Sequence, residues 1–578
     1  SELVDVFSSA EARNIEKYKT SEEGIFHLFV RNPGGAFICL DNSHPTSASR
    51  IKLQQKKWCP DCESKNRLIE IGACRNCGIE YLIAKDTNGQ LSAVEEFDEA
   101  AKYFRILDTG VNNWDVHQRV IKEDEIESED PDLDLSNIGV GVNSIWYCNK
   151  CSTYSDINQC SICNKQLSIE LAKPLQADVS GVLRCSNCLI NPRSPFGPVM
   201  RPVSGSDALT AVMATSIFQD VPIMKEKFED PGQGKKLLAF SDSRQDAAYF
   251  APYLEDSYFD ILRRRALYQA MQDLKREGLQ QGVFTLGNLA SALMRHWQAL
   301  GQKESDNAWA WTWIRGELVS TDSRQSLSGS GLWQIYVSEG TLRNSIKYLN
   351  SIGLNNSESF NLINALLESV AYDGAVECPT IVSPQDQIFA PKTVATKIWM
   401  QSEGAKNSCV NWISKLRNGN KRTSMVERSF PDSDPRVILE KLWETLLQDD
   451  IFIDEKAGQK SLANKIWSVA ANGNYKTAQK YCPACRRFSW WSLPNGICPT
   501  KKCDGILVEK SVVEENHYRY LYKNLNIQGL KSKEHTAQWT ADQAEEVQRE
   551  FIDGKVNVLS CSTTFEMGVD IGEVVAVL

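Results

Sequence analysis

The chain has no apolar run approaching the roughly 18–20 residues that would span a bilayer, and Ser1–Ala10 lacks a basic segment followed by an apolar one. Neither membrane insertion nor secretion is expected. Histidine is scarce, at six residues, and none is singled out as the base that a cysteine nucleophile would need. No Gly-x4-Gly-Lys-Ser/Thr loop occurs, and no Asp-Glu-x-His or Asp-Glu-Ala-Asp box. The groups that cradle ATP phosphates and hold Mg²⁺ in nucleotide-driven motors are therefore not in this stretch. No excess of polar residues is present either: 42% hydrophobic and 24% charged residues exclude wholesale disorder. A length of 578 residues leaves room for about three to five domains.

Positive charge is also in short supply. The formal charge is −10, from 64 basic and 74 acidic residues, which at first sight argues against a polyanion partner. Eight of the acids fall in one run, Glu123, Asp124, Glu125, Glu127, Glu129, Asp130, Asp132 and Asp134, which reads as a solvated loop. Without it the balance is near −2. Clusters such as Arg263, Arg264 and Arg265, or Lys501 and Lys502, remain available for a phosphate-binding surface.

Cysteine is abundant, and fourteen of the eighteen cysteines lie in pairs separated by two or four residues. That is metal-ligand spacing, and it points to a reducing, cytoplasmic setting. Cys59-x2-Cys62 with Cys74-x2-Cys77 is the expected first zinc site, each pair forming a knuckle that turns two thiolates toward one Zn²⁺. Cys148-x2-Cys151 with Cys160-x2-Cys163 forms a second set, and Cys482-x2-Cys485 with Cys498-x4-Cys503 a third. Cys185-x2-Cys188 is a further pair with no obvious complement, unless it replaces Cys160 and Cys163 beside Cys148 and Cys151. Four thiolates leave no open coordination position, so the expected zinc is structural. Cys39, Cys378, Cys409 and Cys561 read as small buried apolar residues.

Gly24–Leu40 reads as two short strands around a Pro-Gly-Gly turn, and the first third of the chain as a string of small modules. Lys235–Ser241 has the length of a buried strand and is followed by Ser243, a candidate helix N-cap, and a helical pattern. A second such unit lies near the end: a strand near Lys531–Ala537, a Thr540 capping box opening the helix Ala541–Asp553, then strands at Val556–Cys561 and Glu573–Leu578. Between them, roughly Asp256–Lys510, the pattern is mainly helical. Eleven of the fifteen tryptophans fall there, among them Trp309, Trp311, Trp313, Trp490 and Trp491, and packed core is the expected role.

Leu237–Phe250 (LLAFSDSRQDAAYF) and Leu559–Gly572 (LSCSTTFEMGVDIG) together resemble motifs IV and V of superfamily 2 helicases. Glu534–Gln538 with Arg549-x-Phe551-x-x-Gly554 resembles the strand and helix that precede motif V. The pattern is similar to large bacterial DEAD/DEAH-box helicases with cysteine-rich insertions, including those of anti-phage defence systems of the Druantia and DISARM kinds. The resemblance implies an α/β fold: a second RecA-like lobe with a parallel sheet, zinc-ribbon insertions and a large, mainly helical inserted domain. Its implied divisions are 1–50 for the end of a first lobe, 51–200 for zinc modules, 201–255 and 511–578 for the second lobe, and 256–510 for the insertion. It implies that Ser241, Ser243, Arg244, Thr536 and Ser562 approach nucleic acid, and that Gly568 and Asp570 face a nucleotide. Motif VI would lie beyond Leu578, so the expectation is a central piece of a longer ATP- and Mg²⁺-dependent enzyme that acts on DNA beside other defence subunits. A zinc-ribbon adaptor without enzymatic activity is the rival reading. No carboxylate constellation for a metal-dependent nuclease is evident.

Overall fold

In the computed structural model, the described residues are 35–577 apart from 42–43, 45–49, 63–65, 75–78, 95–100, 108–143, 176–184, 186–198, 202–205, 222, 224–230, 242–243, 278–282, 303–306, 321–324, 380–381, 384, 390–393, 402–408, 415–418, 456–457, 472, 502, 504, 511, 513–515, 537–538 and 563–575. The chain forms two compact units, Ser1–Ser206 and Asp207–Leu578.

The first unit is built on strands β1 (Ala36–Cys39), β2 (Ile51–Lys52), β3 (Leu68–Cys74), β4 (Glu80–Thr87), β5 (Gln90–Ser92), β6 (Ala101–Leu107), β7 (Ser144–Cys148), β8 (Thr153–Ser155), β9 (Ile169–Ala172) and β10 (Val199–Met200). Six of them close on themselves in the order β4-β5-β8-β7-β9-β6 and back to β4, every pair antiparallel. Closure satisfies the backbone groups that an open edge would leave unpaired. Alternate residues point inward, Leu82 and Ala84 from β4 and Ile145 and Tyr147 from β7, where they meet Leu91, Phe104 and Leu171 in one buried cluster. Asp86, at the β4–β5 turn, accepts from Lys102 Nζ at 2.8 Å, Tyr154 Oη at 2.9 Å and the Gly89 amide at 2.9 Å. One carboxylate thus ties the turn to β6 and β8.

The second unit opens with helix α1 (Ser206–Asp220), strand β11 (Leu237–Ser241) and helix α2 (Arg244–Arg276). β11 pairs in parallel with β23 (Val558–Ser562) and β24 (Ala576–Val577), and β23 in parallel with β22 (Ser532–His535). The order is β22-β23-β11-β24. Between β11 and β22 the chain carries helices and three further small sheets. One, Val283–Thr285, Trp467–Ala471 and Trp333–Val337, is antiparallel throughout. So is another, formed by Phe488–Ser489, Lys480–Tyr481 and Val508–Glu509.

These observations correct the expected fold class. The chain is mixed α/β, with a closed six-stranded antiparallel barrel and additional antiparallel sheets, rather than a parallel-sheet RecA-like lobe carrying zinc ribbons and a mainly helical insertion. Among the described residues, strands paired in parallel are confined to the four-stranded sheet and to the pair Lys397–Trp399 with Cys409–Asn411.

Two side-chain expectations are also settled by burial. Trp309, Trp311, Trp313, Trp490 and Trp491 are core residues. Arg263 and Arg264 do not form a phosphate surface, because both are buried against Glu317, at 3.4 and 3.0 Å, while Arg265 donates to the Leu525 carbonyl at 2.6 Å. Buried guanidinium groups need such partners to offset desolvation.

Candidate metal centres

Three groups of four side chains bring their ligand atoms within 4.8 Å of one another. The second and third are the sets expected from spacing. Cys148 and Cys151 flank the turn from β7 to β8, and Cys160 and Cys163 form the facing knuckle. Cys148 Sγ lies 3.8 Å from Cys163 Sγ. In the third set Cys482 Sγ lies 3.6 Å from Cys503 Sγ, and Cys485 Sγ lies 3.7 Å from Cys498 Sγ. Sulfurs about 2.3 Å from one zinc ion in a tetrahedron stand about 3.8 Å apart. The observed separations fit that edge and exclude disulfides.

The knuckles share a backbone device. The Cys160 amide donates to the Lys165 carbonyl at 2.9 Å, and the Cys482 amide to the Arg487 carbonyl at 2.8 Å. Each first cysteine therefore closes onto the fifth residue after it. The residue before that acceptor is left-handed in both, Asn164 at φ 53° and Arg486 at φ 57°. Such a turn aims both sulfurs to one side.

The first centre departs from the expected grouping. Among the described residues, Cys59 and Cys62 meet Cys39 and His44, not Cys74. His44 Nε2 lies 3.0 Å from Cys62 Sγ and 3.6 Å from Cys59 Sγ, and Cys39 Sγ lies 3.4 Å from Cys62 Sγ. Register explains the change: Cys39 on β1 stands opposite Leu68, the first residue of β3, and the Cys59 amide bonds the Asn66 carbonyl beside it. Cys74 is the last residue of β3, six steps or about 20 Å away. It cannot share that ion. Cys39, expected as an apolar residue, is therefore a candidate ligand, and its Cys39-x4-His44 spacing is the signal that could have found it.

Burial and close packing move these thiols away from their ordinary value in both directions. Burial pushes Cys39 up to about 12, aided by the neighbouring Cys62 and Cys59. Burial opposes ionisation at Cys160, but the Cys163 and Ile162 amides and the Thr153 hydroxyl outweigh it and lower that thiol to about 6. Contact between Cys482 and Cys485 raises the first and lowers the second. A divalent cation removes this conflict by stabilising all the thiolates at once. The three clusters are compatible with structural zinc, one as three cysteines with a histidine and two as four cysteines.

The third cluster is also held from outside. Arg428 Nη1 donates to the Cys498 and Cys503 carbonyls at 2.8 and 2.6 Å. Gly505 lies so close that a Cβ there would stand 2.6 Å from Cys482 Sγ. Only glycine fits that approach.

Of the residues implied to face nucleic acid, Ser241 and Ser562 are register partners at the ends of β11 and β23. Thr536 follows His535, which pairs with Cys561, so Thr536 reaches the same end of the sheet. It is buried, and among the described residues its hydroxyl has no hydrogen-bond partner. Arg244 is exposed at the first position of α2. Ser243, Gly568 and Asp570 lie outside the described residues, as do Cys77 and Cys188.

With the sites described, the chain can be set against known proteins. Residues 51–203 match the YjiV N-terminal domain family. Over 298 residues, 47% of the chain, it is 23% identical to the Druantia protein DruE of Escherichia coli (strain UMEA 4076-1). The chain spans 15% of that relative. No solved structure matches. The family match covers β2 to β10 and thus the barrel, together with Cys59, Cys62 and the second cysteine cluster. No described helix is long and apolar enough to cross a membrane.

Proposed function

We propose that this chain is part of an anti-phage defence protein that translocates along or unwinds nucleic acid, with DNA as the favoured substrate and other defence subunits as partners. Support for the defence role is the partial similarity to DruE. Support for the nucleic-acid role is one geometric observation, the gathering of Ser241, Ser562 and Thr536 at one end of the four-stranded parallel sheet. Short hydroxyls at the C-terminal ends of parallel strands suit phosphate and sugar contacts, which hold a strand without reading its bases. Such contacts are what a motor on arbitrary sequence needs. Arg244, exposed at the start of α2, would add a cationic contact to the same strand.

The chain has no phosphate-loop lysine, so ATP and Mg²⁺ would be held with residues contributed from outside it, with Gly568 and Asp570 facing the nucleotide. In this reading the zinc modules are scaffold, each ion fixing a short segment that has few apolar residues of its own.

The test is DNA-stimulated ATP hydrolysis by the full-length protein. Ser562→Ala together with Arg244→Ala is expected to remove the stimulation by DNA while leaving zinc content unchanged. Stimulation equal to that of the parent would overturn the reading, and absence of any ATPase in the parent would favour the adaptor.

A further inference from the structure

The first centre takes Cys39 and His44 beside Cys59 and Cys62, and Cys74 is not among its ligands. The second centre is likewise complete without Cys185-x2-Cys188. The sequence thus holds two further Cys-x2-Cys pairs in the same unit.

The described member of each pair lies in one place. Cys74 and Cys185 are both buried, in a cluster with Ile79, Tyr81, Ile83, Val94 and Val199 that is separate from the barrel interior. Val199 on β10, a member of the same cluster, stands opposite Cys74 on β3. Arg201, just past β10, donates its Nε to Glu70 Oε1 on β3 at 2.7 Å and fixes that register.

Cys74 also carries the backbone signature of the other knuckles. Its amide donates to the Ile79 carbonyl at 2.9 Å, again the fifth residue on. At Cys185, the Tyr81 hydroxyl lies 3.2 Å from Sγ with both groups buried. A phenol donating to a thiolate is the outer hydrogen bond that buried metal-bound sulfur takes up.

We infer that Cys74 and Cys185 are ligands of one further structural zinc ion, a fourth centre in the cluster where both are buried. Each is the first cysteine of a Cys-x2-Cys pair in the sequence, the spacing of a zinc knuckle. The inference is independent of the proposed motor function, because it concerns only what holds the first unit together.

Elemental analysis of the purified chain tests it. The expected content is four zinc ions per chain, and three would overturn the inference. Cys74→Ser and Cys185→Ser should each lower the content to three, and the double variant should also hold three, because both residues serve one ion. Two ions in the double variant would overturn the shared site. Should a variant fail to fold, the parent loaded with Co²⁺ decides: four equivalents of tetrahedral, thiolate-bound Co²⁺ support the inference and three contradict it.

Discussion

His44 Nε2 meets Cys62 Sγ at 3.0 Å, which makes the first centre a mixed site of one imidazole and three thiols. Removing the imidazole opens a coordination position and exposes the ion to competing ligands. His44→Ala is expected to speed zinc release from this centre to a chromogenic chelator by at least about ten-fold. His44→Cys, which restores four ligands, should return release to near the parent rate. Equal release from all three proteins would contradict the assignment.

Asp86 holds the barrel turn through three hydrogen bonds. Burial alone would raise its carboxyl, but Lys102, Tyr154 and the Gly89 amide outweigh that and hold it below the usual carboxylate value of 3.8. A depressed folded value means stabilisation that is complete well above 3.8 and is lost as pH falls through the folded value. Asp86→Asn should therefore cost about 1–3 kcal/mol near neutrality, read by urea unfolding. The difference from the parent should shrink in acid. A constant difference across pH would contradict this role.

Arg428 bridges from its helix to the carbonyls of Cys498 and Cys503. Arg428→Met keeps the apolar stem and removes these charge-assisted bonds, with an expected loss of about 1.5–3 kcal/mol. Zinc release should accelerate from the third centre only. Gly505→Ala should act more severely on the same centre, because the added methyl meets Cys482 Sγ. Unchanged zinc content and stability in Gly505→Ala would contradict the tight packing described.

Thr536 has a buried hydroxyl with no hydrogen-bond partner among the described residues. Thr536→Val removes an unsatisfied polar atom at nearly constant shape, so stability should be unchanged or higher by up to about 1 kcal/mol. Thermal unfolding checks this. A clear loss of stability would show that the hydroxyl serves the fold instead.

Local signals in the sequence were good guides where the partners are close along the chain. Cys148 to Cys163 and Cys482 to Cys503 each span about twenty residues or fewer, and both cluster as their spacing implies. The strands at Lys235–Ser241 and Val556–Cys561 were legible as compact apolar runs, but their union in one sheet was implied only by the resemblance to helicase motifs. Cys39 and His44 were harder to place: their spacing marks a ligand pair, but only strand register brings it to Cys59 and Cys62. The barrel escaped for a related reason. Its strands are short, β5 and β8 only three residues each, and closure depends on long-range pairs such as Ile106 with Leu171 that no local pattern encodes. Arg263 and Arg264 looked like surface charge until Glu317, more than fifty residues away, supplied a buried partner.

The measurement closest to the central claim is equilibrium binding of a fluorescently labelled single strand of DNA to the full-length protein, compared between the parent and Thr536→Val. Loss of a hydrogen bond to the strand predicts an affinity lower by about ten-fold, with zinc content and thermal midpoint maintained. Affinity indistinguishable from the parent, in a variant that is folded and fully metallated, would contradict the placement of nucleic acid at this end of the sheet.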